Sequence, residues 1–110
     1  MSKGFGGMGN MGDLMKNAQK MQKNMSRVQE ELKTRIVEGD AGGGMVKVQV
    51  NGGQEVVAVK IDPSVVDPED VEMLEDLVIA AVREGMRKAH DLSQKEMGKL
   101  TGGLNIPGLF

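Results

Sequence analysis

The alternation of apolar and polar residues between Met45 and Ile61 predicts a β-hairpin. Branched apolar side chains recur at every second position on both sides of a central turn: Val46, Val48, Val50, Val57, Val59 and Ile61. Because side chains two apart in a strand share a face, each trio predicts one apolar face of a sheet. The turn Asn51-Gly52-Gly53-Gln54 contains an Asn-Gly pair, which adopts positive φ at little steric cost and is a strong hairpin signal.

Upstream of the hairpin, a heptad-like spacing predicts a long helix from Asp13, its expected N-cap, to about Arg35. Its apolar seam follows a 4-3-4-3-4 spacing: Leu14, Ala18, Met21, Met25, Val28 and Leu32. A helix of about 23 residues is roughly 35 Å long, whereas a six-residue strand spans only about 20 Å. We therefore expect the helix to overhang its own sheet, with its start either projecting as an arm or covered by a second copy.

A second line of the same predicted helix is basic. Each of its members follows a seam residue by two positions, which places the line roughly 200° around the helix from the seam: Lys16, Lys20, Lys23 and Arg27. No acidic residue lies between Leu14 and Gln29. Two interpretations stay open: a solvated helix face, which is the usual reason for such a charge run, and a ridge that contacts phosphates, which the absence of acids favours.

The remaining pattern completes an α+β protomer. Thr34–Glu38 reads as a first strand, so three consecutive strands with short links predict an antiparallel meander. A second long helix is predicted from Asp67, as N-cap before a proline, to about Glu96. Gly85 within it costs about 1 kcal/mol relative to alanine, which predicts a close backbone approach, with another helix as one candidate partner. Three cations lie mainly toward its outer side: Arg83, Arg87 and Lys88.

Length and composition indicate one domain, residues 13–97, flanked by flexible Gly-rich tails at 1–12 and 98–110. The only two aromatic residues, Phe5 and Phe110, fall in those tails, so the core is small and aliphatic. A domain of this kind buries a modest fraction of its surface, and association with a second copy is a common remedy. We therefore expect a homodimer.

Charge is segregated along the chain, although the net charge is only −2. Residues 1–35 carry net +4, residues 36–80 carry net −8 and residues 81–110 carry net +2. Cysteine is absent, which excludes disulfides and thiolate metal sites. No apolar run approaches the roughly 18 residues of a membrane span, and the start of the chain lacks the apolar stretch of a signal peptide. We expect a cytoplasmic protein.

Candidate chemistry is sparse. Gly7, Gly9 and Gly12 match a dinucleotide-binding fingerprint, but no strand precedes them as that motif requires. The six carboxylates from Asp67 to Asp76 are explained by helix-dipole complementarity and solvation rather than by a metal site. His90 is the only histidine, and no nucleophile is paired with it. We predict no catalytic residue, no metal, no cofactor and no small-molecule substrate.

Segments along the whole chain carry a recognisable pattern: Met8-Gly9-Asn10-Met11-Gly12, Leu14-Met15-Lys16, Gln19-Lys20-Met21-Gln22, Gly44-Met45-Val46-Lys47-Val48, Val59-Lys60-Ile61-Asp62-Pro63, Met73-Leu74-Glu75-Asp76-Leu77 and Met97-Gly98-Lys99-Leu100-Thr101-Gly102-Gly103. Together they resemble the YbaB/EbfC family of small bacterial nucleoid-associated proteins. The resemblance implies an α+β protomer, a tight homodimer with projecting helical arms, DNA binding with weak or variable sequence preference, and a role in nucleoid organisation or expression control. The family supplies no DNA-contact motif to transfer.

The candidate contact residues therefore come from the charge pattern. We predict that duplex DNA is bound mainly through its phosphates by Lys16, Lys20, Lys23, Arg27, Arg83, Arg87 and Lys88. The alternative is a dimeric scaffold for protein–protein interactions, without direct DNA binding, that uses the seam, the Met-rich start of the chain and the apolar C-terminal tail.

Overall fold

The computed structural model describes residues 11–100, which fold as the predicted α+β protomer. In chain order the elements are α1 (Met11–Leu32), β1 (Ile36–Ala41), β2 (Val46–Asn51), β3 (Val56–Ile61), a short 3₁₀ helix (Pro63–Val65) and α2 (Val71–Leu100). The predictions for the tails fall largely on residues 1–10 and 101–110, which lie outside the described residues. No helix within residues 11–100 is long and apolar enough to cross a bilayer.

Several element boundaries differ from the prediction. α1 spans Met11–Leu32, so Asp13 lies in its first turn and is not its N-cap, and the helix ends before Arg35. β1 and α2 start later than predicted, each for a local reason. β1 begins at Ile36 rather than Thr34 because Thr34 N donates to Glu31 O at 3.0 Å, which closes a turn after α1. Asp67 does not cap α2: its carboxylate accepts from Glu69 N at 2.9 Å within a preceding turn. The N-cap is Asp70, whose carboxylate accepts from Met73 N at 3.2 Å. α2 also runs on to Leu100, past the predicted end at Glu96.

The three strands form the predicted antiparallel meander, in the order β1-β2-β3. Val48 lies opposite Val59, and Val46 opposite Ile61, so these residues share one face of the sheet. The register then shifts between Gln49 and Val50. As a result Val56 lies opposite Val50, and Val57 does not continue the row of Val59 and Ile61 as its predicted trio would.

α2 packs on β1 and β2, where it covers the three β2 valines completely: Val46, Val48 and Val50 are 0 % exposed. The close approach predicted at Gly85 is present, but its partner is a strand rather than a helix. A Cβ built on Gly39 of β1 would lie 2.8 Å from the Gly85 Cα. The absence of side chains at both positions lets the helix backbone rest on the sheet.

The hairpin turn is built differently from the prediction. Positive φ falls on Gln54, at 63°, and not on Gly52 or Gly53. Gly52 is required instead by contact with α1, because a Cβ there would lie 2.7 Å from Leu32 O. The Gly52 N–H donates to Leu32 O at 2.8 Å and to Arg35 O at 2.9 Å. Leu32 O is the last carbonyl of α1 and also accepts from Arg35 N at 3.0 Å, so Gly52 N–H is its second donor. The two bonds from Gly52 anchor the end of α1 and the turn after it to the β2–β3 turn.

Candidate nucleic-acid interface

α1 leaves the sheet as a projecting arm. Leu32 at its C-terminal end is buried at 3 % exposure, Val28 and Met25 are half-buried, and every residue from 11 to 23 is exposed. The exposed seam residues include Leu14 at 62 % and Met21 at 43 %. The overhang expected from element lengths is thus found, and within one protomer the start of α1 projects. We refer to residues 11–23 as the arm.

The root of the arm is held by the end of α2. α2 runs antiparallel to β1, since a Cβ on Gly42 would contact Leu77 while Lys88 binds the Glu38 carbonyl and Arg35 pairs with Glu96. Residues beyond Glu96 therefore lie past the start of β1.

α2 also contacts α1, and near the end of α2 Met97 is only 5 % exposed. Glu96 has a side-chain exposure of 19 %, and its carboxylate lies 2.8 Å from Lys99 Nζ and 3.2 Å from Arg35 Nη1. Hydrogen bonding from Lys99, with a further bond from Arg35, holds the pKa of Glu96 below its ordinary value. The ionised carboxylate thus ties the start of β1 to the end of α2.

The arm carries three of the predicted contact residues in accessible form. Lys16, Lys20 and Lys23 are exposed, and within residues 11–100 none of them forms an ion pair. They share one polar face with Asn17, Gln19, Gln22 and Ser26, and with one acidic residue, Asp13. The fourth residue of the line differs, because Arg27 Nη1 lies 3.0 Å from Glu31 Oε1.

The predicted cations of α2 divide in a similar way. Arg87 pairs with Asp91 at 3.2 Å. Lys88 is not a free outward cation: its Nζ lies 3.1 Å from Glu84 Oε1 and donates to the Glu38 carbonyl at 2.9 Å. Arg83 is exposed and forms no ion pair within the described part of the chain.

Lys88 also lowers the pKa of Glu84, first through the hydrogen bond between the two side chains and then through its charge.

Arg83 lies in sequence between Ala81 and Gly85, which pack on the sheet, whereas the lysines of the arm extend past the sheet. One protomer therefore does not join all seven predicted residues into a single patch.

Two further cations are not among the predicted contact residues. Lys47 and Lys60 lie directly opposite each other on β2 and β3, on the face away from α2, and both are exposed. Like charges directly across a strand pair are destabilising, and Asp40 on β1 lies opposite Lys47. Only the strand register reveals this pair. Among residues 11–100, no three His, Cys, Asp or Glu side chains converge as they would around a metal ion.

Comparison with known proteins identifies the family. A model of the YbaB/EbfC DNA-binding family matches residues 8–104. The chain belongs to this family. It is 58 % identical over 111 residues to a nucleoid-associated protein of Alkaliphilus metalliredigens, covering 98 % of this chain and 97 % of the relative. A nucleoid-associated protein of Pelotomaculum thermopropionicum is 58 % identical over 102 residues, with 93 % and 97 % covered.

The fold of this YbaB/EbfC protein is also found in a solved structure. A crystal structure of an uncharacterized protein from Helicobacter pylori aligns with a TM-score of 0.70 and 29 % identity, covering 84 % of this chain and 94 % of that one. The family resemblance seen in the sequence is thereby confirmed, together with the helix–sheet–helix architecture.

Proposed function

We propose that this YbaB/EbfC protein is a nucleoid-associated protein that binds duplex DNA as a homodimer, mainly through phosphate contacts and with weak sequence preference. In this role it affects nucleoid organisation and gene expression in the cytoplasm. The observation that carries the proposal is the line of exposed lysines on the arm, Lys16, Lys20 and Lys23, none of which forms an ion pair within residues 11–100. The family and the names of the relatives agree with it.

The lysine line suits a phosphate backbone in length and in chemistry. Lys16 and Lys23 are seven residues apart, which is a rise of about 10 Å along a helix, or roughly three base-pair steps of duplex DNA. Lysine binds phosphate as a point charge and carries no base preference. Release of condensed counterions would supply most of the binding free energy.

The homodimer is supported by an uncovered apolar surface beside α2. Val59 and Ile61 share the sheet face that α2 covers, yet α2 packs on β1 and β2, and the two side chains remain 46 % and 39 % exposed. Ile79 of α2 is 47 % exposed. Exposed apolar residues that share one face, as Val59 and Ile61 do, mark association surfaces, and we assign this one to a second copy. Dimerisation would also double the lysine line.

The DNA proposal is tested by the salt dependence of binding to unrelated duplexes. If about five lysines of a dimer meet phosphates, log K falls against log[salt] with a slope of about −4 to −5, and raising salt from ~50 to ~200 mM weakens binding roughly 300- to 1000-fold. In Lys20→Gln/Lys23→Gln the slope becomes shallower by up to ~1.8 for each protomer engaged. Affinity falls about equally on every duplex, because no base contact is removed.

A matched control removes two charges elsewhere. Lys47→Gln/Lys60→Gln changes the net charge equally but on the outer face of the sheet, and we expect it to affect DNA affinity less than the arm variant. Circular dichroism checks that both variants are folded. Unchanged affinity in a folded Lys20→Gln/Lys23→Gln protein would contradict the proposal and leave the lysine line as a solvated face. Failure of the folded wild type to bind any duplex would favour the interaction scaffold.

The dimer is tested by sedimentation velocity at micromolar concentration. We expect the wild type to sediment as a dimer and Val59→Asp as a folded monomer, because Val59 is half-exposed within the protomer and a charge there costs most when a partner covers it. A folded wild-type monomer, or an unchanged dimer in Val59→Asp, would contradict this assignment.

A further inference from the structure

α1 contains a repeated three-residue unit of an apolar, an uncharged and a basic residue. The unit occurs four times with the seam spacing: Leu14-Met15-Lys16, Ala18-Gln19-Lys20, Met21-Gln22-Lys23 and Met25-Ser26-Arg27. Successive residues lie about 100° apart around a helix. The repeat therefore places a row of uncharged residues between the apolar seam and the lysine line: Met15, Gln19, Gln22 and Ser26. Neither the proposed phosphate contacts nor the proposed dimer uses this row.

Two members of this row are placed to meet the same ligand as the lysines. Gln19 and Gln22 lie on the arm, where every residue is exposed, and they line the polar face that also holds Lys16, Lys20 and Lys23. Within residues 11–100 neither side-chain amide forms a hydrogen bond. The two residues are three apart, a rise of about 4.5 Å, which is comparable with the spacing of about 3.4 Å between stacked base pairs.

We propose that Gln19 and Gln22 contact base edges in the major groove and set the DNA sequence preference, with adenine as the favoured base. This inference rests on the proposed DNA binding and adds the base class to it. A helix about 10–12 Å across fits the major groove, which is about 12 Å wide, and not the minor groove of about 6 Å. A glutamine amide can donate to adenine N7 and accept from adenine N6 at once.

The position of the row allows the lysines to contact phosphates while the glutamines contact bases. When the lysine line meets the phosphates at one wall of the groove, the neighbouring row, about 100° around the helix, turns toward its floor. The next repeat of the seam breaks the unit, because Val28-Gln29-Glu30 has an acid where the basic residue stands in the others. Gln29 therefore belongs to the same row but is followed by Glu30 instead of a basic residue, and Lys33, one turn further on, is paired with Glu30, so Gln29 serves as a control.

The test compares Gln19→Ala/Gln22→Ala with Gln29→Ala in the full-length protein. Alanine keeps or raises helix propensity, so the arm is preserved. Wild-type protein first selects duplexes from a randomised pool, and anisotropy then gives its affinity for a selected duplex and for a shuffled one at fixed salt. We expect the wild type to prefer the selected duplex by about fivefold or more, the lower end for one base-specific pair. We expect Gln19→Ala/Gln22→Ala to lose that preference, with unchanged affinity for the shuffled duplex and an unchanged salt slope.

A base analogue gives an independent reading. Replacing adenine by 7-deazaadenine in the selected duplex removes the N7 acceptor, so binding should weaken for the wild type and for Gln29→Ala but not for Gln19→Ala/Gln22→Ala. The inference is overturned if the folded double variant keeps the preference, or if it weakens binding equally on both duplexes. Wild-type binding to both duplexes with equal affinity overturns this inference alone, whereas no binding to either duplex at low salt overturns the proposed function as well.

Discussion

Gly39→Ala tests whether the contact between α2 and β1 sets the stability of the fold. A Cβ at this position would overlap Gly85 N and Ala81 O and lie 2.8 Å from Gly85 Cα. All three neighbours are backbone atoms of α2, so no flexible side chain can move aside. The helix must instead shift away from the sheet by about 1 Å, enough to lose a quarter to a half of each contact across the gap.

The cost follows from what that contact covers. Val46, Val48 and Val50 are 0 % exposed beneath α2, so a shifted helix loosens the centre of the core. Overpacking costs about 1–3 kcal/mol and occasionally more, and the rigid backbone neighbours place Gly39→Ala at about 3 kcal/mol or above. For a domain of this size 1 kcal/mol corresponds to roughly 4–8 °C, so we expect the melting midpoint to fall by roughly 12–24 °C.

The same structure ranks two further glycines for comparison by thermal denaturation. Gly85→Ala meets the Val50 Cγ2 at 2.8 Å but regains roughly 0.5–1 kcal/mol of helix propensity, so its loss should be smaller than that of Gly39→Ala. Gly12→Ala meets nothing within 4 Å and should leave the midpoint unchanged or slightly raised. A Gly39→Ala protein as stable as the wild type, or less affected than Gly85→Ala, would refute the close-contact reasoning.

Three further predictions concern the core, the arm and its root. Val48→Asp places an unpaired charge at a fully buried site and should unfold the protein, whereas a charge at the opposing Val59 should not. A soluble, native-like Val48→Asp protein would mean that the buried face of the sheet has been assigned wrongly. Gly52→Ala should push Leu32 away, which lowers the free energy of unfolding by about 1–3 kcal/mol and speeds hydrogen exchange in α1. Unchanged exchange in α1 would argue that Gly52 does not anchor this helix to the β2–β3 turn. Glu96→Gln should lower the melting midpoint at neutral pH, because the ionised form is stabilised in the fold. The difference in melting midpoint between Glu96→Gln and wild type should shrink as pH falls through the depressed pKa of Glu96 and vanish below it. A difference that persisted at lower pH would show that the stabilisation does not come from the carboxylate charge.

The elements that the sequence predicted well are those with strong periodicity. The alternation in β2 agrees with the burial seen in the structure, because period and burial are linked directly. The heptad seam in α1 agrees with it only at its C-terminal end, where Met25 and Val28 are half-buried and Leu32 is buried, whereas the seam residues of the arm are exposed. The overhang of α1 also followed from element lengths alone. The ends of helices and strands were predicted less accurately than the elements themselves. Asp67 and Asp70 are both suitable N-cap residues, and the structure shows that Asp67 closes a preceding turn while Asp70 caps α2.

What the sequence did not reveal depends on contacts between distant residues. The role of Gly52 against Leu32 and of Gly39 against Gly85 requires the packing of a helix on a strand, which no local pattern encodes. The pairing of Lys88 with the Glu38 carbonyl is likewise a long-range contact, so the charge pattern overstated the number of free cations. The strand register that places Lys47 directly opposite Lys60 also could not be predicted from the pattern of each strand alone.

The fold also reconciles an acidic chain with a polyanionic ligand. Residues 36–80 carry net −8, and their carboxylates concentrate before and within the first turns of α2, whereas the arm is rooted at the far end of α2 by Arg35 and Glu96. Asp76 and Glu96 are twenty residues apart on one helix, a separation of about 30 Å. Because exposed charges are screened over about 8–10 Å at physiological salt, the acidic end hardly weakens attraction of DNA to the lysines. With the proposed DNA contacts, local repulsion at the acidic end would favour approach along the arm, where the lysines would meet phosphates and the glutamine row would meet bases.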